Sequence, residues 1–300
     1  MGNYNFTIVL NKLIAYFFDN YRYKSQSFWF KRLLYIFVLI KCVYWLLFYN
    51  LLFGADSIVY STPKTIGYVK DFAFYLYNSS SISLSYLFIF GAMLCCILPF
   101  IFNLSFYIGW LKHLHNSCPI FDFILWLIII NLNNKVYPTL TAGDYLLNQF
   151  LFFNCFIAFF QSELALKKVL HNFGSLAIII QLCLVYFLSA LAKLNDHQWL
   201  NGTAIATTLQ VHHYSIDFFY NIKQNMFSSI ITYSVLFYQL FFPILIWFKK
   251  IKIPFLIIGV IIHLFIAFVM GLTSFGFIMI LGYVYFYNFK NNLIRNIPKN

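Results

Sequence analysis

Residues Gln181 to Gly202 read QLCLVYFLSALAKLNDHQWLNG: an apolar helical run that stops at a lone lysine, Lys193, then a polar turn and the corner Trp199-Leu200-Asn201-Gly202. An amine at the rim of a hydrocarbon-embedded helix is costly to desolvate. It either reaches toward lipid headgroups or has chemistry to perform.

The rest of the chain fits that setting. Of its 300 residues 62% are hydrophobic and 9% charged, with a mean hydropathy of +0.78. Too few polar side chains exist to cover a water-exposed surface, so the expected fold is all-α, a polytopic transmembrane helical bundle. Met1 to Asn20 mixes polar and apolar residues without a small-residue cleavage site, which leaves the first spanning helix to act as the export signal. The formal charge of +12 would suit nucleic acid in a soluble protein. Here the basic residues cluster at the ends of apolar runs, which speaks for membrane orientation and against a nucleic-acid partner. Abundant Phe, Tyr, Ile, Asn and Lys are also what an AT-rich coding sequence gives, so part of the basic excess carries no function. Cys42, Cys95, Cys96 and Cys183 lie inside apolar runs, and the cysteine spacing gives neither a disulfide framework nor a metal site.

A spanning helix needs roughly 20 mainly apolar residues. Runs at 32–53, 83–102, 118–134, 143–161, 174–193, 228–248, 253–271 and 273–289 meet that rule, which predicts about eight spans. The third is the weakest: Asp122 and Asn131, Asn133 and Asn134 crowd its ends, and it is expected to sit partly in the interface. The domain expectation is a cytoplasmic segment over 1–29, one membrane domain over 30–289 and a cytoplasmic tail over 290–300. With the N-terminus cytoplasmic, that side gathers the clusters around Arg22, Lys31 and Arg32, Lys112, Lys167 and Lys168, Lys249 to Lys252, and Arg295. The other side keeps Lys64, Lys70, Lys135, Lys193 and Lys223, while Lys41 falls within the first span. That imbalance places both termini in the cytoplasm. Asp56, Asp71, Asp144, Asp196, Asp217, His197, His212 and His213 then share the extracytoplasmic face, where a site is expected. Apolar segments 66–77 and 203–211 in the two longer connections are expected to form short helices at the bundle mouth.

Lys193 has two readings. Its stem can lie against the helix end while the ammonium snorkels to water, or it can point into a dry pocket where a neutral amine serves as a general base. Trp199 and Gly202 fit a tight reversal, with an indole at the interface and a glycine that permits an unusual backbone angle. Asn201-Gly202-Thr203 has the spacing of a glycosylation acceptor, which has meaning only in a eukaryotic secretory context and is taken as chance. His263, deep in IIHLFIAFVMGL, is either hydrogen-bonded to a neighbouring helix or functional, as intramembrane ionisable groups commonly are. Asp144 in Thr141-Ala142-Gly143-Asp144 is explained by helix capping; a chemical role would require it to face Lys193. Neither His212-His213 nor His113 and His115 has a spacing that supports a metal, and none is expected. No phosphate loop, dinucleotide fingerprint, zinc-protease helix or nucleophile elbow occurs.

Three segments in order, TAGDYLLNQFLFF, QLCLVYFLSALAKLNDHQWLNGTAI and IIHLFIAFVMGLTSFGFIMILGYVYF, together resemble the HTTM domain, the membrane domain shared with vitamin K-dependent gamma-carboxylase. The middle one is the specific part: a tyrosine, a small-residue helix end, Lys-Leu, a short polar turn and Trp-x-x-Gly. The resemblance covers roughly Phe30 to Phe289. It implies that Lys193 matches the lysine regarded as the base that deprotonates reduced vitamin K. Oxygenation of the quinol then yields a base strong enough to take the gamma proton of a peptide glutamate, and carbon dioxide adds. This chain has Ala192 where the carboxylase has a second lysine, and its turn to Trp199 is one residue longer. In size it is similar to bacterial stand-alone members, which include a membrane protein required to mature a sporulation-delaying peptide toxin.

The resemblance thus implies an inner-membrane protein that modifies or matures a secreted peptide at its outer face. Lys193 would be the base, and His263 and Asp144 would handle protons or orient groups. Reduced menaquinone or vitamin K, with O2 and CO2, would be the cofactors, and a soluble accessory protein would supply recognition. The alternative is a non-enzymatic assembly or export factor that escorts the peptide and uses Lys193 as an anchor. A transporter is disfavoured, since few charged or Gly/Pro-interrupted helices mark a midplane path.

Overall fold

A computed structural model of the protein describes residues 11–12, 14–54, 57, 82–105, 118–157, 164–211 and 225–287. Segment 66–77, Asp56, Asp71, Lys112, His113, His115, His212, His213, Asp217, Lys223 and the tail 290–300 lie outside the described residues.

Regular structure among the described residues is entirely helical: α1 Lys24–Leu47, α2 Tyr49–Phe53, α3 Ile82–Ser105, α4 Cys118–Lys135, α5 Ala142–Asn154, α6 Ala165–Leu194, α7 His197–Leu200, α8 Ala204–Leu209, α9 Met226–Leu245, α10 Lys252–Phe268 and α11 Thr273–Gly282. A 3-10 turn, Tyr283–Phe286, continues α11. Among the described residues each of the eight apolar runs read from the sequence overlaps a helix, with 158–161 of the fourth and 288–289 of the eighth outside the described residues, and the expected short helix over 203–211 is α8. Among the described residues two helices, α6 and α9, are long and apolar enough to cross a membrane. In α1 the charges of Lys31, Arg32 and Lys41 interrupt an otherwise comparable run.

Contacts divide the chain into two compact units, the first ending at Ser175 and the second running from Leu176 to Asn291. In the first, α1 packs on α3, α3 on α4 and α4 on α5. The buried face of α1 carries Phe30, Leu34, Tyr35, Val38, Cys42 and Trp45 at helical spacing. Its other face turns Ile36, Ile40 and Leu47 outward, and α3 likewise exposes Leu87, Phe90 and Leu94. Polar residues go the opposite way. Asp122, Asn131 and Asn133, which made the third run look interfacial, are all buried in this unit. Lys31, expected among the basic residues of the cytoplasmic surface, is only 1% exposed. It has been drawn inward because a carboxylate waits there, which charge clustering along one sequence cannot reveal.

The N-terminal segment belongs to this unit too. Asn172 of α6 donates to the carbonyls of Tyr16, Phe17 and Asn20 and accepts the Arg22 N–H at 2.7 Å, satisfying the carbonyls left over where the first helical turns end. At the start of α5, Asp144 closes a capping box with Thr141, accepting its backbone N–H at 2.7 Å, as its position in the first turn predicted.

In the second unit α10 and α11 pack closely because α10 presents small groups on one face. Gly259 and Ala267 are eight residues apart on α10, and a Cβ on Gly276 of α11 would fall 2.5 Å from the His263 backbone carbonyl oxygen and 2.7 Å from the Ala267 methyl. Small residues at such a contact let helix backbones approach where apolar burial alone gives no preference. Asn225 and Ser228 cap the start of α9 reciprocally. Tyr233 of α9 donates to the Leu200 carbonyl at 2.9 Å, which pins the reversal after α6.

Candidate functional site

Tyr186, Ser189 and Lys193 recur at i, i+3 and i+7 on α6, so they share one face, and Lys193 lies about 10 Å further along the axis than Tyr186. Half-buried at the helix end, the Lys193 ammonium donates to Ser189 Oγ at 2.7 Å. Ser189 in turn reaches Gln239 Oε1 of α9 at 3.4 Å. On another side the ammonium lies 4.9 Å from the centre of the Trp199 ring, a cation–π distance. Both ion pairs among the described residues lie elsewhere, Lys31 with Asp122 and Lys41 with Asp144, so no carboxylate neutralises Lys193 there. Its neighbours are a hydroxyl and an aromatic face, which hold an amine in place without fixing its proton.

The corner behind it is built for the reversal. Asp196 caps α7 by accepting the Gln198 N–H at 2.8 Å, and Gly202 adopts φ 73°, in the left-handed region that favours glycine. A side chain at position 202 would also meet the Tyr233 hydroxyl at 3.0 Å. The expected unusual angle is therefore present.

Further into the unit, His263 is 1% exposed and its Nε2 lies 2.5 Å from the Tyr186 hydroxyl. That hydroxyl also contacts the Tyr283 hydroxyl, which meets Tyr238 Oη at 3.1 Å. Three hydroxyl protons and one imidazole proton serve three contacts. Running Tyr238 to Tyr283 to Tyr186 to His263 Nε2 uses every hydroxyl proton and leaves only Nδ1–H over. The reverse polarity strands both the Tyr238 proton and the Nδ1 lone pair. The first polarity wins, because each unpaired buried group costs about 1–3 kcal/mol. It accounts for Nδ1 being buried without a hydrogen-bond partner. Stacking of Tyr186 on Phe242, with centroids 4.1 Å apart, encloses the chain in aromatic surface.

Gly259 makes room for these phenols. A Cβ there would land on the hydroxyls of both Tyr238 and Tyr283. Gly259→Ala is expected to destabilise the protein by about 1–3 kcal/mol through overpacking, read as a lower thermal midpoint in detergent. Gly91→Ala, whose new methyl would meet nothing nearer than Ile128 at 3.4 Å, should leave the midpoint nearly unchanged.

A second polar centre lies in the first unit. Lys31 Nζ donates to Asp122 Oδ2 at 2.6 Å and to the Ile157 carbonyl at 3.0 Å. Asp122 Oδ1 accepts from the Tyr35 hydroxyl and from Asn154 Nδ2 at 3.1 Å. Also in this unit, Lys41 pairs with Asp144, whose second oxygen is held by Thr141. The hydrogen bonds of Asp144 are thus those of a cap and an ion pair.

Of the residues singled out by sequence, Lys193, Trp199, Gly202 and His263 lie in the second unit and Asp144 in the first. Sequence reading had Tyr186 only as the tyrosine of the resembling segment; it missed Ser189, Gln239, Tyr238 and Tyr283, and it missed Lys31, Tyr35 and Asn154 around Asp122. The available signal was an ionisable residue inside each of two apolar runs, Lys41 and Asp122, which called for partners. No group of three His, Cys, Asp or Glu able to hold a metal occurs among the described residues. No family model, no curated protein and no solved structure matches the chain.

Proposed function

We propose that the protein is an HTTM-like membrane protein of about eight spans, with both termini in the cytoplasm, that modifies or matures a secreted peptide at the outer face of the bacterial inner membrane. Apolar side chains facing outward on α1, α3, α6 and α10, while Lys31, Asp122, Asn154 and His263 are buried, support the membrane setting. A water-soluble monomer rarely exposes so many large apolar side chains on one helix after another.

The observation that carries the chemical part is Lys193: an amine without a carboxylate partner among the described residues, oriented by Ser189 and the Trp199 face. Such an amine can accept a proton from an acidic O–H and then stabilise the resulting anion as an ammonium. These residues fit a reduced quinone such as menaquinol in kind: Lys193 and Ser189 offer an amine and a hydroxyl for its oxygens, and Trp199 an aromatic face for its ring. With O2 and CO2, that cofactor would supply carboxylase-like chemistry. Within the chain, His263 would settle protons through Tyr186, and Asp144 would hold the start of α5 through Lys41. A soluble accessory protein would bring the peptide.

The same geometry favours a second reading. Half-buried on an indole at the end of a long apolar helix, Lys193 is also placed as an interfacial anchor, which suits an escort for peptide assembly or export. Comparing secreted peptides by mass spectrometry with and without the protein tests both. A mass gain matching carboxylation supports the enzyme, and an unmodified peptide that stays inside supports the escort.

A further inference from the structure

An apolar groove of about 390 Å3 opens on the side of the second unit. It follows α6 from Leu176 to Phe187, a rise of about 16 Å, with Ile180, Cys183 and Leu184 along its floor and Pro243 and Trp247 as its far wall. Half of a hydrocarbon core roughly 30 Å thick is about 15 Å. The groove therefore has the reach of one acyl chain from one leaflet.

What distinguishes it from ordinary lipid-facing surface is its end. Trp247 is more than half exposed and donates its indole N–H to the Pro243 carbonyl at 2.7 Å, which fixes the ring at the groove's wall. Directly after it come Phe248, Lys249 and Lys250, all exposed, then Lys252 at the start of α10. None of these three lysines has an acidic partner among the described residues. An amphipathic ring followed by uncompensated ammonium groups is the pattern of a headgroup-level anchor, and cationic side chains at that level select anionic lipid.

We infer that this groove and the Lys249, Lys250 and Lys252 cluster together form a binding site for an anionic phospholipid, with one acyl chain along α6 and the phosphate among the lysines. The inference rests on the membrane reading of the chain and is independent of the chemistry of Lys193. The occupant is fixed by charge: a zwitterionic lipid would fill the same apolar groove but leave three positive charges without a counter-ion.

The test uses the full chain in nanodiscs of equal dioleoyl phosphatidylglycerol and dioleoyl phosphatidylcholine, released in the gas phase so that native mass spectrometry reads the lipids still held. Retention of phosphatidylglycerol over phosphatidylcholine is expected at about fivefold or more. The preference should fall to parity in the triple variant Lys249→Gln, Lys250→Gln, Lys252→Gln, and survive the corresponding triple replacement by Arg, which also reports an intact fold. Lys167→Gln with Lys168→Gln should keep it, excluding a mere effect of net charge. Leu184→Trp, which fills the groove, should remove held lipid of either kind. Parity in the unaltered protein, an unchanged preference in the glutamine variant, or a second copy of the chain retained in place of lipid overturns the inference. If the membrane reading itself is wrong, the chain leaves the discs and carries no lipid, a different outcome from parity.

Discussion

Lys193→Arg is expected to stop formation of the modified peptide, a loss of about 10²–10⁴-fold in rate, which is what a positioned general base contributes. Arginine keeps the positive charge, the length and the stacking on Trp199, but it does not give up its proton near neutral pH. The substitution therefore separates chemistry from anchoring. Mass spectrometry of the secreted peptide should show the modification absent while the membrane level of the protein, followed by immunoblot, stays near normal. If the modified peptide persists in the arginine variant, Lys193 is not the base and its part is that of an anchor. Ser189→Ala provides the graded companion: the amine stays but loses its 2.7 Å acceptor, so activity should fall less than with arginine.

Asp122→Asn is expected to cost about 3–5 kcal/mol, the range for removing one partner of a buried ion pair. Lys31 would keep its charge, 2% exposed, and face a neutral amide where the Asp122 carboxylate had been. Thermal unfolding in detergent should show the midpoint falling well below that of Asp144→Asn, because Lys41 is 11% exposed and nearer to solvent. The double variant Lys31→Met with Asp122→Leu should recover most of the loss, since a packed apolar pair of similar volume avoids desolvating two charges. Equal midpoints for Asp122→Asn and the unaltered protein would remove Asp122 from any part in holding α1 against α4.

The helical runs were legible because hydropathy acts locally: among the described residues each of the eight apolar runs overlaps a helix, including 118–134, whose Asn-rich end had looked interfacial. Caps were legible for the same reason, as Thr141 and Asp144 are three residues apart. Partnerships were not. Lys31 and Asp122 are separated by 91 residues and Tyr186 and His263 by 77, and nothing in either neighbourhood encodes the other. Lys193 was visible as the lone charge after an apolar run, whereas Ser189 one turn before it looked like any small helix residue. Tyr238 of α9 and Tyr283 following α11 were hidden among 23 tyrosines in the chain, too many for a single phenol to stand out.

The pair between α1 and α4 also constrains how the chain can be made. Lys31 leaves the ribosome 91 residues before Asp122. At roughly 5–20 residues per second the interval is about 5–18 s. During that time Asp122 is not yet there to receive Lys31, and an ammonium in lipid without its carboxylate is disfavoured by several kcal/mol. On the membrane reading proposed above, α1 has to be sheltered by the insertion machinery until α4 emerges, so that release into the bilayer is collective rather than one segment at a time.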